Sequence, residues 1–267
     1  RRWYEMGSYE KSGQANVGGL SADVDAAAGN GVTGGEKLTI EGPDGQSETS
    51  SIAGSSSANE IAAAVNSETK DTGVTASAVT ETNIDLNGGS AGTISFTLET
   101  ENGSDDTTIG TSSISATITD TGDLTALAEA INAESATTRV TAELSADKAS
   151  ISLKNESGYD INIVGADNGN ASDDVALRVD TNNLTDNGGG GTNNDSMVVG
   201  GQVEFSSTGN FVIQQPTNTD ILGAASISST LNKVSDIDVR EFSGAQDAIS
   251  AVDKALNYPA EVTADLG

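Results

Sequence analysis

The chain has 267 residues and carries 40 acidic against 12 basic side chains, a formal net charge of −28. It contains no cysteine and no histidine, which removes disulfides, thiolate chemistry, Cys/His zinc sites and histidine acid–base catalysis. A surface this negative repels phosphate and argues against nucleic acid or an anionic membrane as partner. Nine aromatic residues beside 31 glycines leave material for thin cores only, better suited to several small modules than to one thick globule.

The opening stretch RRWYEMGSYEKSG has two arginines but no apolar run, so no cleaved secretory signal is legible in it. Nowhere does an apolar run approach the roughly 18 residues that a membrane span needs. Residues 1–35 read as a connecting segment. Leu38 and Ile40 then alternate with Thr39 and Glu41, the period of a half-buried strand. Gly42-Pro43-Asp44-Gly45 is a turn, and a second strand is expected around Glu48 to Ile52. After the start signal Ser57/Asn59, Ile61, Ala64 and Val65 share one face of a short helix. Val74 and Ala76 begin a strand, and Ile84 with Leu86 give another.

The same order returns 66 residues later. Val65-Asn66 falls on Ile131-Asn132, Val74-Thr75-Ala76 on Val140-Thr141-Ala142, and Ile52 on Ile118, without a gap; Ile84 and Leu86 match Ile151 and Leu153 with one extra residue. In this second copy the strands are Ile94/Phe96/Leu98 and Ile114/Ala116/Ile118. The helix carries Leu124, Leu127, Ala128 and Ile131 behind Asp123 as N-cap. Helices of about three turns do not persist alone in water, so each must lie on a sheet. Each unit therefore reads β-β-α-β-β.

The second copy continues into Ile161/Ile163 and Val175/Leu177/Val179. Residues 181–196 read as a Gly/Asn linker. Beyond it, Val203/Phe205 and Phe211/Ile213 are expected to form a hairpin around Thr208-Gly209-Asn210, and residues 214–232 are irregular. Finally, Ala245, Ala248, Ile249, Val252, Ala255 and Leu256 line one face of an amphipathic helix. Ser243 and Gln246 form its capping-box signature, and Pro259 ends or kinks it. The expected fold class is α+β and β-rich: two repeated β-β-α-β-β modules, then a β-hairpin and a C-terminal amphipathic helix.

Residues 229–267 carry Val234-Ser235-Asp236-Ile237-Asp238-Val239, then Gly244-Ala245-Gln246-Asp247-Ala248-Ile249, Ala255-Leu256 and Ala264-Asp265-Leu266-Gly267. In order and spacing this resembles the start of the C-terminal conserved region of bacterial flagellin. The two repeats resemble the small β-α-β motif inserted in the central region of flagellins and hook proteins, with Val65-Asn66…Gly73-Val74-Thr75-Ala76 and Ile131-Asn132…Val140-Thr141-Ala142 as its core. The resemblance implies outer modules at 36–90 and 91–185, a linker and β-hairpin at 186–232, and the start of a C-terminal helical arm at 233–267. It implies an extracellular structural subunit of the flagellar filament, serving motility by self-assembly with other flagellin subunits. The face from Ala245 to Leu256 would be an assembly surface. Without the family's long paired helices, the chain itself is expected to be a monomer or weakly associated.

No chemistry competes with this reading. Serines and threonines are plentiful, but there is no histidine to activate one, and DNGGGGTNND lacks the Lys-Ser/Thr ending of a phosphate loop. No catalytic residue, cofactor or metal ligand is therefore expected. The segments Asp167 to Asp174 and Asn102 to Thr108 offer oxygen ligands of the kind Ca²⁺ prefers, without EF-hand spacing, and read first as polar turns. Two alternatives remain: a β-rich adhesin or carbohydrate-binding module, which calls for an exposed aromatic platform, and a hook-associated relative of flagellin.

Overall fold

The computed structural model describes residues 7–14, 20–21, 29–86, 89–105, 107–170, 174–186 and 195–233. The helix expected over Ala245 to Leu256 lies outside these residues. Strands β1 (Gly7–Gln14) and β2 (Leu20–Ser21) come first. Next, β3 (Thr39–Glu41) and β4 (Gln46–Glu48) make a hairpin closed by Gly42 N donating to Gly45 O at 2.8 Å. The expected continuation of β4 toward Ile52 is absent; Ile52 makes only an isolated bridge with Glu36. Helix α1 (Ala58–Ser67) starts at a full capping box, in which Ser57 and Glu60 satisfy each other's backbone N–H. It buries Ala58, Ile61, Ala62 and Val65. The single turn α2 (Thr69–Thr72) stops at Gly73, which takes the left-handed φ of +72°.

Strand β5 (Val74–Asp85) follows as one piece of 12 residues, where two short strands were expected. VTASAVTETNID contains no Gly or Pro and no turn chemistry, so nothing interrupts it. Next come β6 (Gly92–Asn102), β7 (Thr107–Ile118), α3 (Thr125–Ala133), α4 (Ser135–Thr138), β8 (Thr141–Leu144) and β9 (Ser150–Asn155). Here the chain does turn after β8. Asp147 accepts from Ser145 Oγ and Ala149 N, and Lys148 adopts φ +63°. At the start of α3, Asp123 accepts from both the backbone and hydroxyl of Thr125, which holds its carboxyl below the usual carboxylate range.

Strands β10 (Asp160–Asp167), β11 (Asp174–Val179) and β12 (Asn182–Asp186) come next. β12 occupies part of the expected linker. Its hairpin with β11 turns on Asp180 at φ +51°, whose carboxylate accepts from Thr82 Oγ1 and Asn83 N on β5. The remaining strands are β13 (Ser196–Val199), β14 (Gln202–Ser207), β15 (Val212–Gln214), β16 (Ser226–Ser228) and β17 (Thr230–Lys233). The last two lie where irregular chain was expected.

Three antiparallel sheets result. One runs β12-β11-β5-β14-β1-β17, with β9 also on β5 and β8 on β9; the others run β2-β13-β10-β6-β7 and β16-β15-β3-β4. The expected hairpin of β14 with β15 does not form. β14 pairs with β1 and β5, whereas β15 pairs with β3 and β16, so the two belong to different sheets. The connecting Gly209 crosses over Pro43, with room for no side chain, as a Cβ there would lie 2.8 Å from Pro43 Cβ. This crossing lets Phe205 and Phe211 enter one core from two sheets.

That core is discontinuous in sequence, built from residues between Val32 and Val74 and between Val203 and Ile227. The other core is continuous, from Ile84 to Val199. The second is thus inserted into the first, and β5 belongs to both: Val74–Val79 pair with β14, Thr80–Asp85 with β9.

At the 66-residue spacing both halves show the same tie between helix and strand. Asn66 donates to Ala76 O at 2.8 Å and accepts from Ala76 N at 2.7 Å; Asn132 does the same with Ala142 at 2.8 and 2.8 Å. Each amide mimics a strand partner and closes the end of its helix onto the following strand. The strand pairings also correspond: Ala142 faces Leu153 on β9, whereas Ala76 faces Phe205 on β14. Asn66→Ala and Asn132→Ala should each cost about 1–2 kcal/mol in urea denaturation, since each breaks two such bonds, and the losses should add in the double variant because the sites sit in separate cores. Unchanged denaturation midpoints would show the ties to be inconsequential.

Candidate functional site

The densest set of buried polar groups lies where the two cores meet. Register places Asp160 at the start of β10 opposite Glu101 near the end of β6. Asn162 sits two residues along β10, on the same strand face as Asp160. The N-terminal turn of α1 adds Glu60, and the loop before β3 adds Asn30. These residues come from β10, β6, α1 and the loop before β3, so the cluster exists only when both cores are formed and apposed.

Asn30 is a hub. Its Nδ2 reaches Ser55 O at 3.0 Å, Ser56 O at 2.9 Å and Asp160 Oδ2 at 2.8 Å, while its Oδ1 accepts from Val32 N. Glu60 accepts from Ser57 N at 2.9 Å within the capping box, and from Ser104 Oγ in the turn after β6. Asn162 Nδ2 donates to Glu101. Gly103 lets the turn approach: a Cβ there would collide with Ser55 O and lie 2.8 Å from Asp160 Oδ2.

Asp160 and Asn162 are each only 1% exposed, and Asp160 Oδ1 and Asn162 Oδ1 have no hydrogen-bond partner among the described residues. Burial, opposed by the Asn30 bond and reinforced by the Glu101 and Glu60 charges, pushes the Asp160 carboxyl up to about 8. At neutral pH the group is therefore a neutral acid. Protonation removes one buried charge from a site facing two other carboxylates and converts an orphaned acceptor into a donor.

The chemistry open to this arrangement is that of a proton-holding joint. It has no activated nucleophile, and among the described residues no three carboxylates are placed to hold a metal ion. The described residues of the two Asp/Asn segments make local turn bonds, with Asp167 accepting from Gly169 N, Asn168 from Asn170 N and Asp105 from Thr107 N. The predicted assembly face, Ala245, Ala248, Ile249, Val252, Ala255 and Leu256, lies outside the described residues. Sequence reasoning passed over Asp160 and Asn30. The one available signal was a carboxylate heading the apolar run Asp160-Ile161-Asn162-Ile163-Val164.

Residues 37–100 match the family model described as the flagellin hook IN motif. Over those residues, well under half of its length, the chain is similar to flagellin. The match runs from just before β3 through the β3–β4 hairpin, α1, α2 and β5 and into β6, so it starts in the interrupted core and ends in the inserted one. No curated protein matches the chain. Among the described residues, no helix is long and apolar enough to cross a membrane.

The Asp160 carboxyl carries a pH signature opposite to that of an ordinary surface carboxylate. Its folded-state value of about 8 stands above the ordinary 3.8. Its contribution is therefore fully present below about pH 4 and is lost as pH rises toward 8, with a slope of at most about 1.4 kcal/mol per pH unit. Asp160→Asn keeps the shape and the acceptor for Asn30 but cannot ionise. Relative to the native chain, the variant should gain stability steadily between pH 5 and 8 in denaturant titrations. Parallel stability curves would show that Asp160 does not hold the proton.

Proposed function

We propose that this chain is the outward-facing portion of a flagellar filament subunit, serving motility by self-assembly and without catalysis. The observation that carries the reading is the flagellin hook IN motif over residues 37–100. The recurrence of the Asn66–Ala76 tie at Asn132–Ala142 supports reading residues 36–90 and 91–185 as two copies of one outer module. In this reading the second module has been inserted into the first, and β14 supplies to the first the strand that β9 supplies to the second. Residues 233–267 begin the C-terminal helical arm. The face of Ala245, Ala248, Ile249, Val252, Ala255 and Leu256 packs there against helices of its own and neighbouring subunits. Extracellular placement on the flagellum follows from the same reading.

The surroundings of the aromatics favour a structural role over sugar binding. Phe96, Phe205 and Phe211 are buried, and Tyr159 is half-buried with the Arg139 guanidinium 5.9 Å from its ring centre. The aromatic side chains described thus build no open stacking platform. A charge of −28 suits a surface presented in many crowded copies, because like charge keeps neighbouring filaments apart.

Gold-labelled antibodies raised against this chain should decorate the flagellar filaments of producing cells along their whole length. Labelling confined to the base or tip of the filament would indicate a hook-associated protein instead, and labelling of the cell body alone would overturn the filament reading.

A further inference from the structure

The sheet edges of this protein are unequal. Most are short or charged: β2 has two residues, β16 three, β4 ends in Glu48, β8 contains Glu143, β12 ends in Asp186 and β17 ends in Lys233. These are the usual devices that keep an edge from recruiting another strand. β7 has none of them. It is the outermost strand of its sheet, with β6 as its one neighbour, and runs for 12 residues, TTIGTSSISATI, with no charge and no proline.

Its two faces are otherwise accounted for. Gly110, Ile114, Ala116 and Ile118 point into the inserted core. Helix α4 covers the end of that face, because a Cβ on Gly110 would collide with Thr137 O. The other face carries Thr111, Ser113, Ser115 and Thr117, opposite Glu99, Thr97, Ser95 and Thr93 on β6. What is left open is the free side of the ladder. Among the described residues, no backbone hydrogen bond joins β7 to any segment other than β6. In a chain of net charge −28, β7 itself carries no charged side chain, and the carboxylates nearest its middle, Glu99 and Glu134, are engaged by Thr111 and Ser112.

We propose that β7 of one copy pairs antiparallel, edge to edge, with β7 of a second copy, joining the two five-stranded sheets into one. The pairing is isologous, so it closes at a dimer and does not propagate. Asp105 and Asp120 flank the strand. Antiparallel pairing brings the Asp105 end of one copy toward the Asp120 end of the other, so association should tighten as salt screens them. The inference stands on the sheet edge alone and does not depend on the filament reading.

The test is sedimentation equilibrium of the whole chain over a wide concentration range, in low salt and in about 0.5 M salt, where screening acts over less than roughly 5 Å. Wild type should shift from monomer toward dimer with concentration, more readily at high salt. Ser113→Glu with Ser115→Glu places like charges across the new pairing on exposed positions, and should stay monomeric. The control Ser51→Glu with Ala63→Glu adds the same charge at exposed sites elsewhere and should dimerise as wild type does. Amide hydrogen exchange of wild type, which needs no variant to fold, should show protection across Thr107–Ile118 that grows with concentration. A monomer at every concentration, a dimer that ignores the β7 charges, or protection of β7 that is independent of concentration would each overturn the proposal.

Discussion

Val74–Asp85 cannot bend back on itself, and the architecture follows from that. A chain that leaves the first core along an unbroken strand of 12 residues is carried some 40 Å, beyond the reach of a small module. It must find its partners where it arrives. The first half of β5 is left with a vacancy beside Ala76 that no local hairpin can fill, and β14 fills it after the whole second core has been made. In the second unit the turn at Ser145 to Lys148 folds β9 back onto β8 at once, and no such detour arises.

This arrangement couples the cores mechanically as well as topologically. One strand is hydrogen-bonded in both, so neither can shift along it without breaking the register of the other. The hairpin tip at Asp180 adds a second fastening, tied to Thr82 and Asn83 near the end of the same strand. The Arg178–Asp85 pair adds a third across β11 and β5. As a joint between the two cores, a continuous strand is stiffer than a linker of the Gly/Asn kind the sequence suggested.

Local structure was legible wherever the chain announces it by period or turn chemistry. The helix start at Ser57, the helix faces of Ile61/Val65 and Leu127/Ile131, and the Gly42–Gly45 turn all express interactions within a few residues. The misreadings of β12 and of the β14–β15 hairpin share one cause: each depended on a partner distant in sequence. Val203 and Phe205 alternate as any hairpin strand would, and nothing in them says that the neighbour is Ala76 and not Ile213. Leu184 is the single apolar residue of β12, too little to mark a strand until β11 is seen beside it. Asp160 was hidden for the same reason. Its unusual state is imposed by burial between the two cores, reinforced by the charges of Glu101 and Glu60 and opposed by the Asn30 bond, all supplied by elements distant in sequence.

With 40 carboxylates and 12 cations, ion pairing cannot carry the fold. Four of the five salt bridges among the described residues join groups of which at least one partner is more than half exposed, and such pairs contribute little. The acids are used as acceptors instead. Asp105, Asp120, Asp123, Asp147 and Asp167 each take a backbone N–H at a turn or helix start, where a carboxylate needs no cation to be useful. Such bonds are local and solvated, so the acidic surface and the turn chemistry reinforce each other. The exception is the place where the strategy fails: at the meeting of the cores too few donors reach Asp160, and a proton takes the part that a thirteenth cation would otherwise have to play.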